Sequence, residues 1–290
     1  DRCLSRGLGD VYKRQVTQYC GWAPIEAGKT MGLFPYGQQN LKIPDIYTDY
    51  DGMSDWSTTN RDLIVPTYPN GAVVNYGRFT ELRNPPNLGV GDDLTKLQSR
   101  RDMAYAIQTE SEQMVLDLIR KAVEMSGEKN VVLSGGYGLN CVANYWYLEQ
   151  LKDEGINLFV EPVSNDAGTA IGAAYWHYQK VSKNTKVHPP IKDLYYGPEY
   201  EYDKEYITDL ANYYDATRIF EADHEDAIDL ISKKNIVAMF QGKSESGPRA
   251  LGNRSIMYDP RDPKGKDHVN TVKRREYFRP FAGSILKEHV

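Results

Sequence analysis

The clearest periodic signal in the chain lies between Asp102 and Met125. Met103, Ile107, Met114, Leu118, Ala122 and Met125 fall near one stripe there, while Glu110, Glu112, Asp117, Arg120 and Lys121 lie elsewhere. That spacing predicts an amphipathic helix, and Gly127 is a natural stop beyond it. Val131-Val132-Leu133 then predicts a short strand running into Ser134-Gly135-Gly136, followed by a helix from about Asn140 to Leu151. Ile156 to Val160 predicts a second strand, after which Asn165-Asp166-Ala167-Gly168 opens a helix of small residues reaching about Gln179.

Upstream, Val16 to about Leu94 reads as loop-rich, with Pro35-Tyr36-Gly37 and Pro69-Asn70-Gly71 supplying turn chemistry between short apolar runs. Downstream, Lys, Pro and Tyr dominate without a long apolar period, so residues 181–216 read as a linker and domain boundary. Strands at Thr217–Phe220 and Ile236–Phe240 flank a helix at Asp223–Lys233, and residues 217–290 read as a second, incomplete domain. Helices alternating with short buried strands make the fold class α/β.

Composition changes this picture little. Apolar residues make up 40% and charged residues 26% of 290, which excludes a wholly disordered or collagen-like chain. No window approaches the roughly 18 uninterrupted apolar residues of a membrane span, so no membrane partner is expected. Cys3, Cys20 and Cys141 lie at no short spacing, which argues against a disulfide framework or zinc knuckle and makes a reducing cytoplasm the expected compartment. Cys141, in an apolar helix start, is expected in the core. Residues 1–15 carry no period and read as a non-native leader, and the last residues stop within what reads as a strand, so the chain is read as a fragment. Net charge is −5, but residues 243–279 hold ten Lys/Arg against five Asp/Glu, which leaves −10 for the remainder.

Three constellations carry chemistry. In Leu133–Asn140, paired glycines after a strand let backbone approach a phosphate or ribose, or simply make a tight turn. Asp166, after a strand and at a helix start, is either a cap or a carboxylate aimed into a cleft as a metal ligand. Arg249, Arg254, Lys273, Arg274, Arg275 and Arg279 sit among Gly, Pro and Ser without a helical period. They suit multidentate capture of phosphate or carboxylate, with an ordinary basic surface or an RNA patch as the alternative. The five histidines (His177, His188, His224, His268 and His289) form no i,i+4 pair.

The chain strongly resembles the O-carbamoyltransferase family of nodulation and antibiotic-tailoring enzymes. The resemblance runs from about Val16 to Val290 through GKTMGLFPYG (28–37), LSGGYGLNCVAN (133–144), NDAGTAIGAA (165–174), YYGP (195–198), GPRALGNRS (247–255) and FRPFA (278–282). It implies that residues 16–180 are the C-terminal part of an actin-like ATPase (ASKHA) domain, similar to the threonylcarbamoyl-transferase subunit that modifies transfer RNA. Residues 217–290 would begin a YrdC-like, adenylate-forming domain.

The implied reaction is ATP-dependent. Carbamoyl phosphate and ATP give carbamoyl adenylate, whose carbamoyl group passes to a hydroxyl of a small-molecule or sugar acceptor with the help of a bound divalent metal, iron in the family; magnesium would accompany ATP. By resemblance Arg249, Lys273 and Arg279 are the catalytic cations around ATP and carbamoyl phosphate. Gly135, Gly136 and Asn140 form the nucleotide-contacting loop, Arg254, Ser255 and Arg275 belong to the same anion pocket, and Asp166 is one metal ligand, the paired histidine ligands lying upstream. A nucleic-acid partner is not expected, and a homodimer is allowed. Tyr137-Gly138 replaces the more usual Val-Ala, and Ser244–Ser246 replaces a stretch that usually contains Arg, Met, Phe or Tyr. The rival readings are another enzyme of the actin-like fold, either a kinase or a threonylcarbamoyl transferase, and a non-catalytic nucleotide- or RNA-binding fragment.

Overall fold

The computed structural model describes residues 15–50, 53–67, 71–75, 77–183, 191, 193–216 and 221–289. The expected leader, apart from Gln15, and the expected strand at Thr217–Phe220 lie outside the described residues. The chain divides into two compact units, Asp1–Asp166 and Ala167–Val290.

In the first unit α1 spans Ala27–Leu33, and Thr30 meets Thr17 hydroxyl to hydroxyl at 2.8 Å. Two antiparallel hairpins follow, β1 (Tyr47–Tyr50) with β2 (Met53–Thr59) and β3 (Ile64–Thr67) with β4 (Gly71–Val74). The long helix α2 runs from Gln98 to Ser126 and stops at Gly127, whose φ of 74° is left-handed. Gly37, the last residue of GKTMGLFPYG, lies against its backbone: a Cβ there would fall 2.0 Å from the Arg101 carbonyl oxygen. Glycine is therefore required at that contact.

β5 (Asn130–Leu133), α3 (Cys141–Leu151) and β6 (Asn157–Val160) form a parallel strand–helix–strand unit, with Asn130 opposite Asn157 and Leu133 opposite Val160. Its core joins Val115, Leu116 and Ile119 of α2 to Ala143, Tyr147 and Leu151 of α3 and Ile156.

The structure departs from the sequence pattern at two places. On α2 the buried band contains Gln108, Ser111 and Glu112 together with Val115, Leu116 and Ile119, whereas Leu118 and Met125 are exposed. The band advances in steps of four and includes polar residues that satisfy one another, so an apolar stripe alone misplaces it. Cys141 is exposed. It opens α3 on the side away from Ala143, Tyr147 and Leu151, which follow one another at helical steps of four.

The second unit holds α4 (Gly168–Ser182), α5 (Lys204–Tyr213), α6 (His224–Ser232), β7 (Val237–Phe240), β8 (Arg254–Met257) and α7 (Gly265–Val272). β7 and β8 pair antiparallel, Val237 opposite Met257 and Phe240 opposite Arg254. Asp203 caps α5 by accepting from the Tyr206 N–H at 2.8 Å, and Asp223 with Asp226 forms a capping box on α6.

Candidate functional site

The Arg249 loop connects β7 to β8 and is tied down from two sides. On one side Leu194–Pro198 lies along Ser244–Ser246. The Ser246 N–H donates to the Leu194 carbonyl at 2.6 Å, the Gly197 N–H to Ser244 at 2.9 Å and the Ser244 N–H to Pro198 at 3.1 Å. Tyr195 adds its hydroxyl, which donates to the Leu251 carbonyl at 2.9 Å. A Cβ on Gly197 would fall 2.0 Å from Ser244 Oγ, so the glycine of YYGP is the price of this close strap.

On the other side Glu245 Oε1 accepts from the backbone N–H groups of Leu251 (2.7 Å), Asn253 (2.9 Å) and Arg254 (3.3 Å). Burial opposes ionisation of Glu245, but these N–H groups and its own hold the carboxyl down at about 2. Arg254 lies over the Phe240 ring at 3.7 Å and donates to the carbonyls of Gln241 (2.6 Å) and Gly242 (3.1 Å). Ser255 Oγ accepts from the Gly252 N–H at 2.9 Å. Arg249 is exposed at the crest of the loop.

A second cationic element follows α7. Lys273 sits at the helix C-terminus and is exposed. Buried Asn270 donates to the carbonyls of Tyr277 and Arg279, both at 3.1 Å, and accepts from Arg275 Nε. The Arg275 guanidinium stacks over Phe281 at 4.1 Å and donates to the Pro280 carbonyl at 3.2 Å. Burial lowers the Arg275 pKa, and the neighbouring Arg279 charge lowers it further. Arg279 reaches Glu276 at 3.7 Å. The fold thus brings Arg275 and Arg279 together, and places Arg249 on the β7–β8 loop with Arg254 and Ser255 just beyond it at the start of β8. Arg249 lies on the β7–β8 loop, whereas Lys273 and Arg279 belong to the element that follows α7.

In the first unit, the glycine loop and the Asp166 run leave the C-terminal ends of the adjacent parallel strands β5 and β6, the edge where α/β sheets bind ligands. The Glu161 N–H donates to the Leu133 carbonyl at 3.0 Å, and the Cβ position of Gly138 lies 3.1 Å from Ser164 Oγ, so the two runs touch. Gly135 has φ of 89° and open space beside it, and Gly136 begins a 3-10 turn.

Asn140 points inward. Its Oδ1 caps α3 by accepting from the Ala143 N–H at 3.2 Å, and its amide exchanges hydrogen bonds with Gln108 at 3.1 and 3.2 Å. Tyr137 also turns inward, its hydroxyl 3.1 Å from both Ser111 and Tyr147, and burial pushes its phenol up. Asp166 is exposed, and the N-cap of α4 is Ala167, with no side-chain cap bond. Among the described residues no group of three or more His, Cys, Asp or Glu is placed to hold a metal, so they do not fit a complete metal site.

The sequence pattern singled out the arginines but neither Glu245 nor the strap. The signal for Glu245 is a lone acid within a basic run, two residues before the Gly247-Pro248 turn.

The carbamoyltransferase N-terminus family model matches residues 3–175, more than half of the chain. The chain belongs to the carbamoyltransferase family. The carbamoyltransferase C-terminus model matches residues 228–290, which contain both cationic elements of this carbamoyltransferase chain. It is similar to the Synechocystis protein sll1178, 35% identical over 98% of this chain and 46% of that protein. Nodulation protein NolNO of Sinorhizobium fredii is 32% identical over 98% of this chain and 40% of its own length. Nodulation protein NolO of Bradyrhizobium diazoefficiens is 32% identical over 97% and 48%. The chain therefore spans less than half the length of these relatives.

Proposed function

We propose that this chain is part of an ATP-dependent O-carbamoyltransferase whose acceptor is a hydroxyl of a small molecule or sugar. Water cleaves carbamoyl phosphate to phosphate and carbamate. A carbamate oxygen then attacks the α-phosphorus of ATP, expelling pyrophosphate and leaving carbamoyl adenylate. The acceptor hydroxyl finally displaces AMP at the carbamoyl carbon and loses its proton. We read residues 16–180 as part of the actin-like domain that performs transfer, and residues 217–290 as the start of the YrdC-like domain that makes the adenylate.

The observation that carries this reading is the Arg249 loop. Its backbone is fixed by Glu245 and the strap, Arg254 is spent on carbonyls and Phe240, and Arg249 is left exposed to meet an incoming anion. Arg275 and Arg279 supply two neighbouring cations in the same family match. Both co-substrates are polyanions whose reaction concentrates charge at phosphorus, so fixed cations are the apparatus it needs. Gly135 and Gly136, at the C-terminal strand edge, suit the nucleotide side of the transfer step. Asp166 would lend one carboxylate to the metal that the family implies.

The test uses the full-length protein and two separate assays. Arg249→Ala should cost about 10²–10³ in carbamoyl-phosphate-dependent pyrophosphate release. Transfer from supplied carbamoyl adenylate should stay near wild type. Equal losses in both assays would make Arg249 structural, and a loss confined to transfer would place it in the wrong half-reaction.

A further inference from the structure

We propose that Glu245 is a positioning residue: by gathering the N–H groups of Leu251, Asn253 and Arg254 onto one carboxylate oxygen, it sets the direction in which Arg249 is presented. The inference rests on the adenylation reading for what the loop does, and on geometry alone for how it is held. Between β7 and β8 the residues around Arg249 belong to neither strand, so their N–H groups need partners from elsewhere. Two of them, Leu251 and Asn253, converge on Glu245 Oε1 at 2.7 and 2.9 Å, and the N–H of Arg254, the first residue of β8, joins them at 3.3 Å.

The Glu245 backbone is itself pinned, because Ser244 and Ser246 on either side bond to Leu194, Gly197 and Pro198. A carboxylate on a fixed backbone then fixes the loop. It has a second effect. Three convergent N–H groups form an anion-binding nest, and an empty nest beside Arg249 would draw phosphate away from the guanidinium. Glu245 fills it with an internal anion that stays ionised at ordinary pH.

The experiment compares Glu245→Ala and Glu245→Gln in the full-length protein. Glutamine keeps an acceptor oxygen at the same reach, whereas alanine leaves three N–H groups without one. Hydrogen exchange over residues 247–255 should quicken about tenfold or more in Glu245→Ala and stay near wild type in Glu245→Gln. The KM for carbamoyl phosphate in pyrophosphate release should rise by about tenfold or more in the alanine variant and recover in the glutamine variant. Transfer from supplied adenylate should be unchanged in both. Unchanged exchange in Glu245→Ala overturns the inference, as does faster exchange with an unchanged KM, or a glutamine variant as impaired as the alanine one. If Glu245→Ala does not fold, Glu245→Asp takes its place with the same expected losses, since the shortened side chain draws the acceptor back by one methylene. A wild-type protein that releases no pyrophosphate with carbamoyl phosphate fails the adenylation reading instead, and the exchange measurement then decides Glu245 by itself.

Discussion

Asn140 closes the glycine loop from the protein side, capping α3 with one oxygen while its amide pairs with Gln108, which in turn donates to Glu112 at 2.7 Å. Removing it strands a buried amide and a helix N-terminus together. Asn140→Ala should therefore lower stability by about 1–3 kcal/mol, read as a drop in Tm of the full-length protein; an unchanged Tm would show that the loop stands without it. The arginines divide in a similar way. Arg254 is committed to two neighbouring carbonyls and the Phe240 face, so Arg254→Ala should destabilise by about 1–2 kcal/mol through lost packing and orphaned acceptors. Arg249→Ala should leave Tm nearly unmoved. Equal Tm changes in the two variants would contradict the division.

At the scale of elements, what the sequence disclosed was what periodicity and glycine can signal: the body of α2 and its stop at Gly127, both parallel strands, α3, and α6 with its capping Asp223. Buried polar residues hid the true face of α2, because Gln108, Ser111 and Glu112 bond one another along the helix and Gln108 and Ser111 also reach Asn140 and Tyr137, partners remote in sequence. β8 and α7 went unread for another reason: Arg254-Ser255-Ile256-Met257 has no alternation, and α7 is only eight residues long. The cations of the site were visible as charge, but the Glu245 nest and the strap depend on pairings that no local pattern announces.

Glu110, also on α2, accepts from the Ile46 and Tyr47 N–H groups at 2.7 and 3.1 Å, and burial lifts its carboxyl to about 7 against their pull. A carboxyl raised in the folded state favours folding below its unfolded pKa, near 4.5, and that contribution is lost as pH climbs through about 7. Glu110→Gln keeps the acceptor without the charge. It should flatten the fall of Tm between pH 5 and 8 and stabilise the protein at pH 8 by on the order of 1 kcal/mol, after allowance for residual solvent. A wild-type slope in the variant would remove Glu110 from the account.

At the scale of the whole molecule, the exposed apolar surface matters most. Parallel sheets ordinarily have both faces covered, yet Val132 of β5 and Phe159 of β6 are 63% and 50% exposed. In the second unit α4 buries none of its residues, and Tyr175, Trp176, Tyr178 and Val181 are exposed along it. Expressed as these 290 residues, the chain should self-associate at micromolar concentration, measurable by light scattering. A monodisperse, cooperatively melting monomer would contradict this.

The strap bears on how genes for such proteins can be cut and joined. The carbamoyltransferase C-terminus match begins at residue 228, but Leu194–Pro198 and the Tyr195 hydroxyl hold the loop that carries Arg249. The smallest segment that can be exchanged between relatives is therefore longer than the matched domain. A chimera joined at residue 228 pairs one protein's strap with another's loop, so the close fit of Gly197 against Ser244 would be drawn from two different proteins. Joined ahead of Leu194, the two would travel together, and recombination within this family should favour that earlier crossover.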